Sequence, residues 1–123
     1  MVDQLRDGVP HGLPLVVGGR SSGARVACRT ADTVGAVGVL CLAFPLQPPP
    51  RAGSAGPPSR LHELDAVSVP VLVVQGVRDR FGMPSSSGLR TVEQVQGDHG
   101  LKTDLESVAA AVRAWLPCVL PSV

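Results

Sequence analysis

Three continuously apolar, valine-rich runs limit most strongly what this chain can fold into. They cover Leu13–Val17, Val37–Phe44 and Val69–Gln75. Such runs are typical of strands in a parallel sheet that is buried on both faces, because these strands have no side that must face water. A fourth run, Thr91–Val95, mixes polar and apolar residues and is predicted to be an edge strand. We therefore expect a mostly parallel sheet of about four strands in sequential order.

Two helical segments are predicted between the strands, at residues 22–32 and 59–66. The first contains small side chains suited to close packing on a sheet, and the second begins with Ser59 as a candidate N-cap. The segment Pro45–Arg60, after the second strand, is rich in proline and glycine and is predicted to be an exposed loop. Its PxxP-like spacing leaves open a second interpretation, as a ligand for a proline-binding groove.

The last helix has the clearest sequence pattern. Thr103 and Glu106 have the spacing of a capping box, and apolar residues then recur at helical period up to Leu116. Pro117 is expected to end the helix. Strands that alternate with helices predict a three-layer α/β/α fold with right-handed crossovers. We expect the last helix on the same face of the sheet as helix 22–32, or just beyond it.

Composition excludes several classes of function. The 123 residues correspond to a single domain, 1–123, and 44% of them are hydrophobic. A net charge of +1 without a basic patch, and only three aromatic side chains, argue against binding to nucleic acid. No apolar run approaches the roughly 18 residues of a membrane span. Cys28, Cys41 and Cys118 form no metal-ligand cluster, so we expect reduced thiols, no metal, no cofactor and a cytoplasmic protein.

The segment Gly19-Arg20-Ser21-Ser22-Gly23 matches G-x-S-x-G, the pattern of a nucleophile elbow. In such a turn a strand reverses sharply into a helix and holds the serine in a strained backbone conformation. Side chains two positions before and after the serine are expected to collide, which predicts a need for both glycines. The turn would raise the Ser21 hydroxyl above the carboxyl edge of the sheet.

A serine hydroxyl needs a base, and the base needs a carboxylate that holds its tautomer. Asp79 follows the third apolar run and His99 follows the fourth, so all three groups are expected at the same sheet edge. Each has an alternative interpretation: Ser21 as a plain N-cap, Asp79 as a solvated turn residue, His99 as a capping or surface histidine. The other two histidines, His11 and His62, are expected to be structural.

Four segments together resemble the catalytic half of an α/β-hydrolase, and most closely the dienelactone-hydrolase-like branch. They are "VVGGRSSGARVA", "FPLQPPP", "PVLVVQGVRDRFG" and "GDHGLK". The resemblance implies Ser21 as nucleophile, Asp79 as the acidic residue and His99 as general base. It also implies the backbone N–H of Ser22 as an oxyanion-hole donor. Two residues depart from the family pattern: Arg80 stands where proline is frequent, and Ser22 where methionine is frequent.

The same resemblance covers only the C-terminal part of such a domain, because about a dozen residues precede the first predicted strand. A second oxyanion donor is expected in the part without a counterpart here. The strand Leu13–Val17 is then expected to be an exposed edge, through which the isolated chain forms a homodimer or aggregates. Two functions follow as hypotheses: a serine hydrolase acting on a small ester-like or related acyl substrate, or an inactive hydrolase-fold remnant that serves as an interaction or scaffold protein.

Overall fold

A computed structural model of the chain describes residues 14–49 and 58–120, which form a four-stranded parallel sheet with helices on both faces. The elements are β1 (Val16–Arg20), α1 (Ser22–Val34), β2 (Gly38–Leu42), α2 (Leu61–Asp65), β3 (Val71–Gly76), β4 (Arg90–Val95) and α3 (Leu105–Val119). The strands lie in the order β1-β2-β3-β4, and each neighbouring pair is parallel. The predicted fold class, a three-layer α/β/α arrangement with sequential strands, is confirmed.

The two faces of the sheet are covered by different helices. From β2, Val39 and Cys41 join the core beneath α1 and α2, whereas Leu40 and Leu42 join the core beneath α3. The expectation that α3 shares the face of α1 is therefore wrong. The helices α1 and α2 connect successive parallel strands by crossovers of one hand, which places both on one face. Because α3 follows the last strand, it is free to cover the face that these crossovers leave open, where Trp115 is buried.

The first strand lies further along the chain than the sequence pattern predicts. The first strand begins at Val16 and continues through Gly18 and Gly19 to Arg20, while Leu13 lies outside the described residues. All six residues of β3 are buried, as its apolar sequence predicts. Within the described residues β1 pairs only with β2 and forms one edge of the sheet.

The start and end of α3 differ from the sequence pattern. The cap is Asp104 rather than Thr103, because its carboxylate accepts hydrogen bonds from the Ser107 N–H at 3.1 Å and the Ser107 hydroxyl at 2.6 Å. These bonds hold the pKa of Asp104 below its ordinary value. The predicted capping box between Thr103 and Glu106 is therefore wrong. Pro117 does not end the helix, which continues to Val119 with the proline in its last turn.

The loop after β2 is described only in part. Residues 50–57 of the segment Pro45–Arg60 lie outside the described residues, and the idea of a proline-binding partner is untested there. The described ends of the loop are held by backbone bonds, from Gln47 N–H to Phe81 O at 2.8 Å and from Arg60 N–H to Leu46 O at 2.7 Å. No helix within 14–49 or 58–120 is long and apolar enough to cross a membrane.

Candidate active site

The turn between β1 and α1 places Ser21 in a rare backbone conformation. Its φ is 52° and its ψ is −119°, a region that residues other than glycine seldom adopt. Such a conformation costs on the order of 1–3 kcal/mol and persists only where the surroundings hold it. Here the Ser21 N–H donates to the carbonyl of Leu42 at the end of β2, at 2.9 Å. The reversal presents the hydroxyl at the carboxyl edge of the sheet.

The two glycines of the turn have different roles. A Cβ on Gly19 would lie 2.2 Å from the carbonyl carbon of Gly23 and 2.3 Å from its oxygen, so no side chain fits there. A Cβ on Gly23 would meet nothing within 4 Å. The expectation that both glycines are needed is therefore wrong, because a side chain on Gly23, in the first turn of α1, would enter open space. Only Gly19 is required by the close approach of strand and helix.

The Ser21 hydroxyl bonds to a histidine that is 78 residues away in sequence. Its Oγ lies 2.8 Å from Nε2 of His99, and the side chain makes no capping bond to α1. The interpretation of Ser21 as a plain N-cap is therefore wrong. On the other side of the ring, Nδ1 of His99 lies 2.8 Å from Oδ2 of Asp79. With Nδ1–H donating to the carboxylate, Nε2 is left to accept the proton of the serine hydroxyl.

The carboxylate of Asp79 is held on both of its oxygens. Its Oδ1 accepts the backbone N–H of Phe81 at 2.7 Å while Oδ2 accepts from His99. The side chain has no exposed surface, so the interpretation of Asp79 as a solvated turn residue is wrong. Two hydrogen bonds to the charged form compensate for its removal from water.

Close backbone contact brings the loop of His99 to the end of β3. A Cβ on Gly76 would lie 2.5 Å from the carbonyl oxygens of both Gly97 and Asp98, so glycine is needed where these two loops meet. The His99 ring packs against Phe81, with ring centroids 4.4 Å apart and the planes at 36°. The histidine side chain keeps 24% of its surface exposed, which leaves it accessible from solvent.

Sequence reasoning missed Phe81 and Gln75. Phe81 supports the histidine ring. The rarity of aromatic residues could have pointed to it, since the chain contains only three. Gln75 is a fully buried polar residue in an otherwise apolar strand. Its amide bonds to both the N–H and the carbonyl of Phe44, at 2.9 and 2.8 Å, and to the carbonyl of Gly82 at 2.9 Å. It therefore ties the loop after β2 to the loop that carries Asp79.

The N–H group of Ser22 lies at the start of α1. None of the hydrogen bonds found among the described residues uses this group, whereas the N–H of Ala24, in the same first turn, donates to Ser21 O at 2.9 Å. The first turn of α1 contains no acidic residue. An unused N–H at a helix N-terminus, on the residue that follows Ser21, is suited to a developing negative charge on an oxygen.

An open cavity of about 410 Å³ adjoins the histidine. Its lining residues are Arg78, Arg80, Asp98, His99 and Gly100. Within the described part of the chain neither Arg78 nor Arg80 forms an ion pair with a carboxylate. On the other side, the Arg20 guanidinium donates to the carbonyl of Gly100. The cavity lining therefore holds two arginines and one carboxylate, that of Asp98, whose Oδ1 accepts the Gly100 N–H at 3.0 Å.

Among the described residues, the remaining histidine and acidic side chains form no second centre. His62 lies on α2 with 75% of its side chain exposed, 3.9 Å from Glu63. His11 lies outside the described residues. Over 14–49 and 58–120, no group of three or more His, Cys, Asp or Glu side chains is arranged to hold a metal ion.

Comparison with known proteins gives three results. The model of a family described as "Alpha/beta hydrolase domain" matches residues 1–115. A search of the curated proteins gave no match. Two solved structures are similar in fold. One is the thioesterase domain from the curacin biosynthetic pathway (TM-score 0.59, 13% identity, covering 91% of this chain and 68% of that one). The other is a protein of the alpha/beta hydrolase superfamily from Xanthomonas campestris pv. campestris (TM-score 0.61, 20% identity, covering 95% and 67%).

Proposed function

Since this chain belongs to the alpha/beta hydrolase domain family, we propose that it is a serine hydrolase acting on a small ester-like or related acyl substrate. One observation carries the proposal: the hydrogen-bonded series from the Ser21 Oγ through the His99 ring to the Asp79 carboxylate, with 2.8 Å at both steps. The dienelactone-hydrolase-like branch is part of the proposal and rests on the resemblance of the sequence alone.

In the first half of the reaction, His99 Nε2 takes the proton of the Ser21 hydroxyl while Oγ attacks the acyl carbonyl carbon. The carbonyl oxygen becomes an oxyanion and accepts the N–H of Ser22. The imidazolium of His99 then gives its proton to the leaving alcohol or thiol, the bond to the leaving group breaks, and the acyl group remains on Ser21. The Asp79 carboxylate stays ionised and stabilises the charged ring.

In the second half, a water molecule reaches the acyl group from the open cavity beside His99. The same Nε2 takes one proton from the water as its oxygen attacks the carbonyl carbon. The second oxyanion again faces the Ser22 N–H. When it collapses, the bond to Ser21 Oγ breaks, His99 returns the proton to Oγ, and the carboxylic acid leaves.

Two arginines against the single carboxylate of Asp98 in the cavity lining support a preference for acyl substrates that carry a negative group. Arg78 and Arg80 are exposed beside His99 and have no carboxylate partner among the described residues. The Arg80 guanidinium lies over the Phe81 ring, 5.6 Å from its centroid. An anionic group on the substrate would gain ion-pair contacts there without displacing an existing partner.

Reaction with a fluorophosphonate probe tests the proposal, because the probe labels only a serine activated by a base. We expect wild type to be labelled on Ser21 and Ser21→Ala to be unlabelled, while the control Ser85→Ala keeps the wild-type rate. His99→Asn should slow labelling by at least about a hundredfold, whereas the exposed His62→Asn should not. An unlabelled wild-type protein that is folded by circular dichroism would instead favour the alternative, an inactive hydrolase-fold protein with an interaction or scaffold role.

A further inference from the structure

Two thiols buried between α1 and β2 are not used by the proposed reaction. Cys28 lies on α1 and Cys41 on β2, and their sulfur atoms are 3.6 Å apart. Both are free thiols, and they share the core beneath α1 with valine and alanine side chains. A disulfide has an S–S distance of about 2.05 Å, so the two sulfurs must approach by roughly 1.5 Å to become bonded.

We propose that Cys28 and Cys41 are an oxidative modification site, at which a peroxide forms a reversible disulfide that displaces the turn carrying Ser21. The oxidant meets Cys28 first, because Cys28 keeps 8% of its surface exposed and Cys41 has none. The hydrogen bond between the thiols supports the same order. It lowers the pKa of Cys28, whose thiolate is the acceptor, and together with burial it raises the pKa of Cys41.

The reaction balances with hydrogen peroxide as the only oxidant. The Cys28 thiolate attacks one oxygen of the peroxide, the O–O bond breaks, and Cys28 becomes a sulfenic acid. The hydroxide that leaves takes up the proton lost by Cys28 and forms water. The Cys41 sulfur then attacks the Cys28 sulfur, the S–O bond breaks, and a second water leaves with the Cys41 proton. Two thiols thus lose two electrons to one peroxide, and an added dithiol reverses the change by exchange.

The positions of both cysteines connect the bond to Ser21. Cys41 is the register partner of Gly19 across β1 and β2, and the next residue, Leu42, accepts the Ser21 N–H at 2.9 Å. Cys28 belongs to α1, which begins directly after Ser21. The tight contact between Gly19 and Gly23 leaves no slack between strand and helix. Drawing α1 toward β2 therefore moves the serine, and a displacement of about 1 Å at a reacting atom costs on the order of a hundredfold in rate.

Peptide mapping of the whole 123-residue chain tests the site. The Cys118→Ser variant is used, because Cys118 is exposed and would otherwise join two chains. After treatment with hydrogen peroxide, we expect the intact mass to fall by two hydrogens and a tryptic product to link residues 26–29 with residues 30–51. The link should form equally well in dilute protein and disappear with dithiothreitol. Cys41→Ala in the same background should give no such product. If both thiols remain open to iodoacetamide after denaturation of the treated protein, the proposal is wrong.

Two readouts test the displacement. Oxidised protein should react with the fluorophosphonate probe at least about tenfold more slowly than reduced protein, and dithiothreitol should restore the rate. In the amide NMR spectrum the resonance of Ser21 should move on oxidation, while that of Ser107, at the start of α3, should not. Cross-linked protein with an unmoved Ser21 resonance would overturn the proposal. Since peptide mapping and NMR need no activity, failure of the serine hydrolase proposal is recognised separately, by an unlabelled reduced protein.

Discussion

Substitution of the two glycines that flank Ser21 offers a matched pair with opposite expected results. In Gly19→Ala the new Cβ would lie 2.2 Å from the Gly23 carbonyl carbon, whereas ordinary contact begins at 3.4 Å, so β1 and α1 must separate by about 1.2 Å. Overpacking of this kind costs on the order of 3 kcal/mol when the obstacle is backbone. For a domain of this size that lowers the Tm by roughly 10 °C.

The same separation moves the serine away from its base. A shift of about 1 Å should slow labelling of Ser21 by a fluorophosphonate about a hundredfold, well beyond the loss expected from the fraction unfolded. In Gly23→Ala the added methyl group meets nothing within 4 Å, and the position lies in the first turn of α1. Replacing a helical glycine by alanine stabilises by up to about 1 kcal/mol, so we expect a Tm a few degrees higher and labelling within about twofold of wild type.

Differential scanning calorimetry and labelling rates, measured on both variants at a temperature where each is folded, check the pair. Equal damage by the two substitutions would refute the reasoning, because the space around the two Cβ positions would then not decide the outcome. A Gly19→Ala protein with the stability and labelling rate of wild type would also refute the reasoning.

Four more predictions concern the fold and the site. Gln75→Leu should lower the free energy of unfolding in urea by about 2–3 kcal/mol, since it leaves buried backbone groups unpaired, while Gln94→Leu at an exposed position of β4 should change little. The hydrogen-bonded Arg25 guanidinium holds the pKa of Glu63 below its ordinary value of 4.5. The difference in stability between wild type and Glu63→Gln should therefore be complete above pH 4.5, and it should vanish as the pH falls through the lower pKa of the folded state. Measuring the Tm of both proteins over a range of acidic pH checks this. At low salt, kcat/KM for mono-para-nitrophenyl adipate, which carries a free carboxylate, should exceed that for its uncharged methyl ester by about threefold to tenfold. A higher kcat/KM for the methyl ester, or a ratio that does not change with salt, would argue against the proposed preference for anionic substrates. Finally, we propose that β1, an edge strand among the described residues, pairs with the same edge of a second copy; sedimentation should show dimers at tens of micromolar, and a monomer there would contradict this.

Local sequence was sufficient for the sheet and for the elements of the site. A continuously apolar run such as the one that contains β3 has no side that tolerates water, so a parallel sheet with covered faces was the expected solution. The pattern around Ser21 predicted a sharp strand-to-helix turn because such a turn brings strand and helix so close that a residue without a side chain is required, as Gly19 is here. Asp79 and His99 were expected beside Ser21 for a topological reason, since parallel strands end at the same sheet edge.

Tertiary structure decided what depends on the distance between segments remote in the chain. The face covered by α3 depends on which surface the crossovers leave open, and no pattern within 105–119 contains that information. The unequal roles of Gly19 and Gly23 appear only when the approach of strand to helix is known. The support of His99 by Phe81, and the contact between Cys28 and Cys41, likewise join side chains on different elements. Periodicity indicates which face of a segment is buried from water. It does not indicate which other segment covers that face, because the contacts between segments are determined by the packing of the whole sheet.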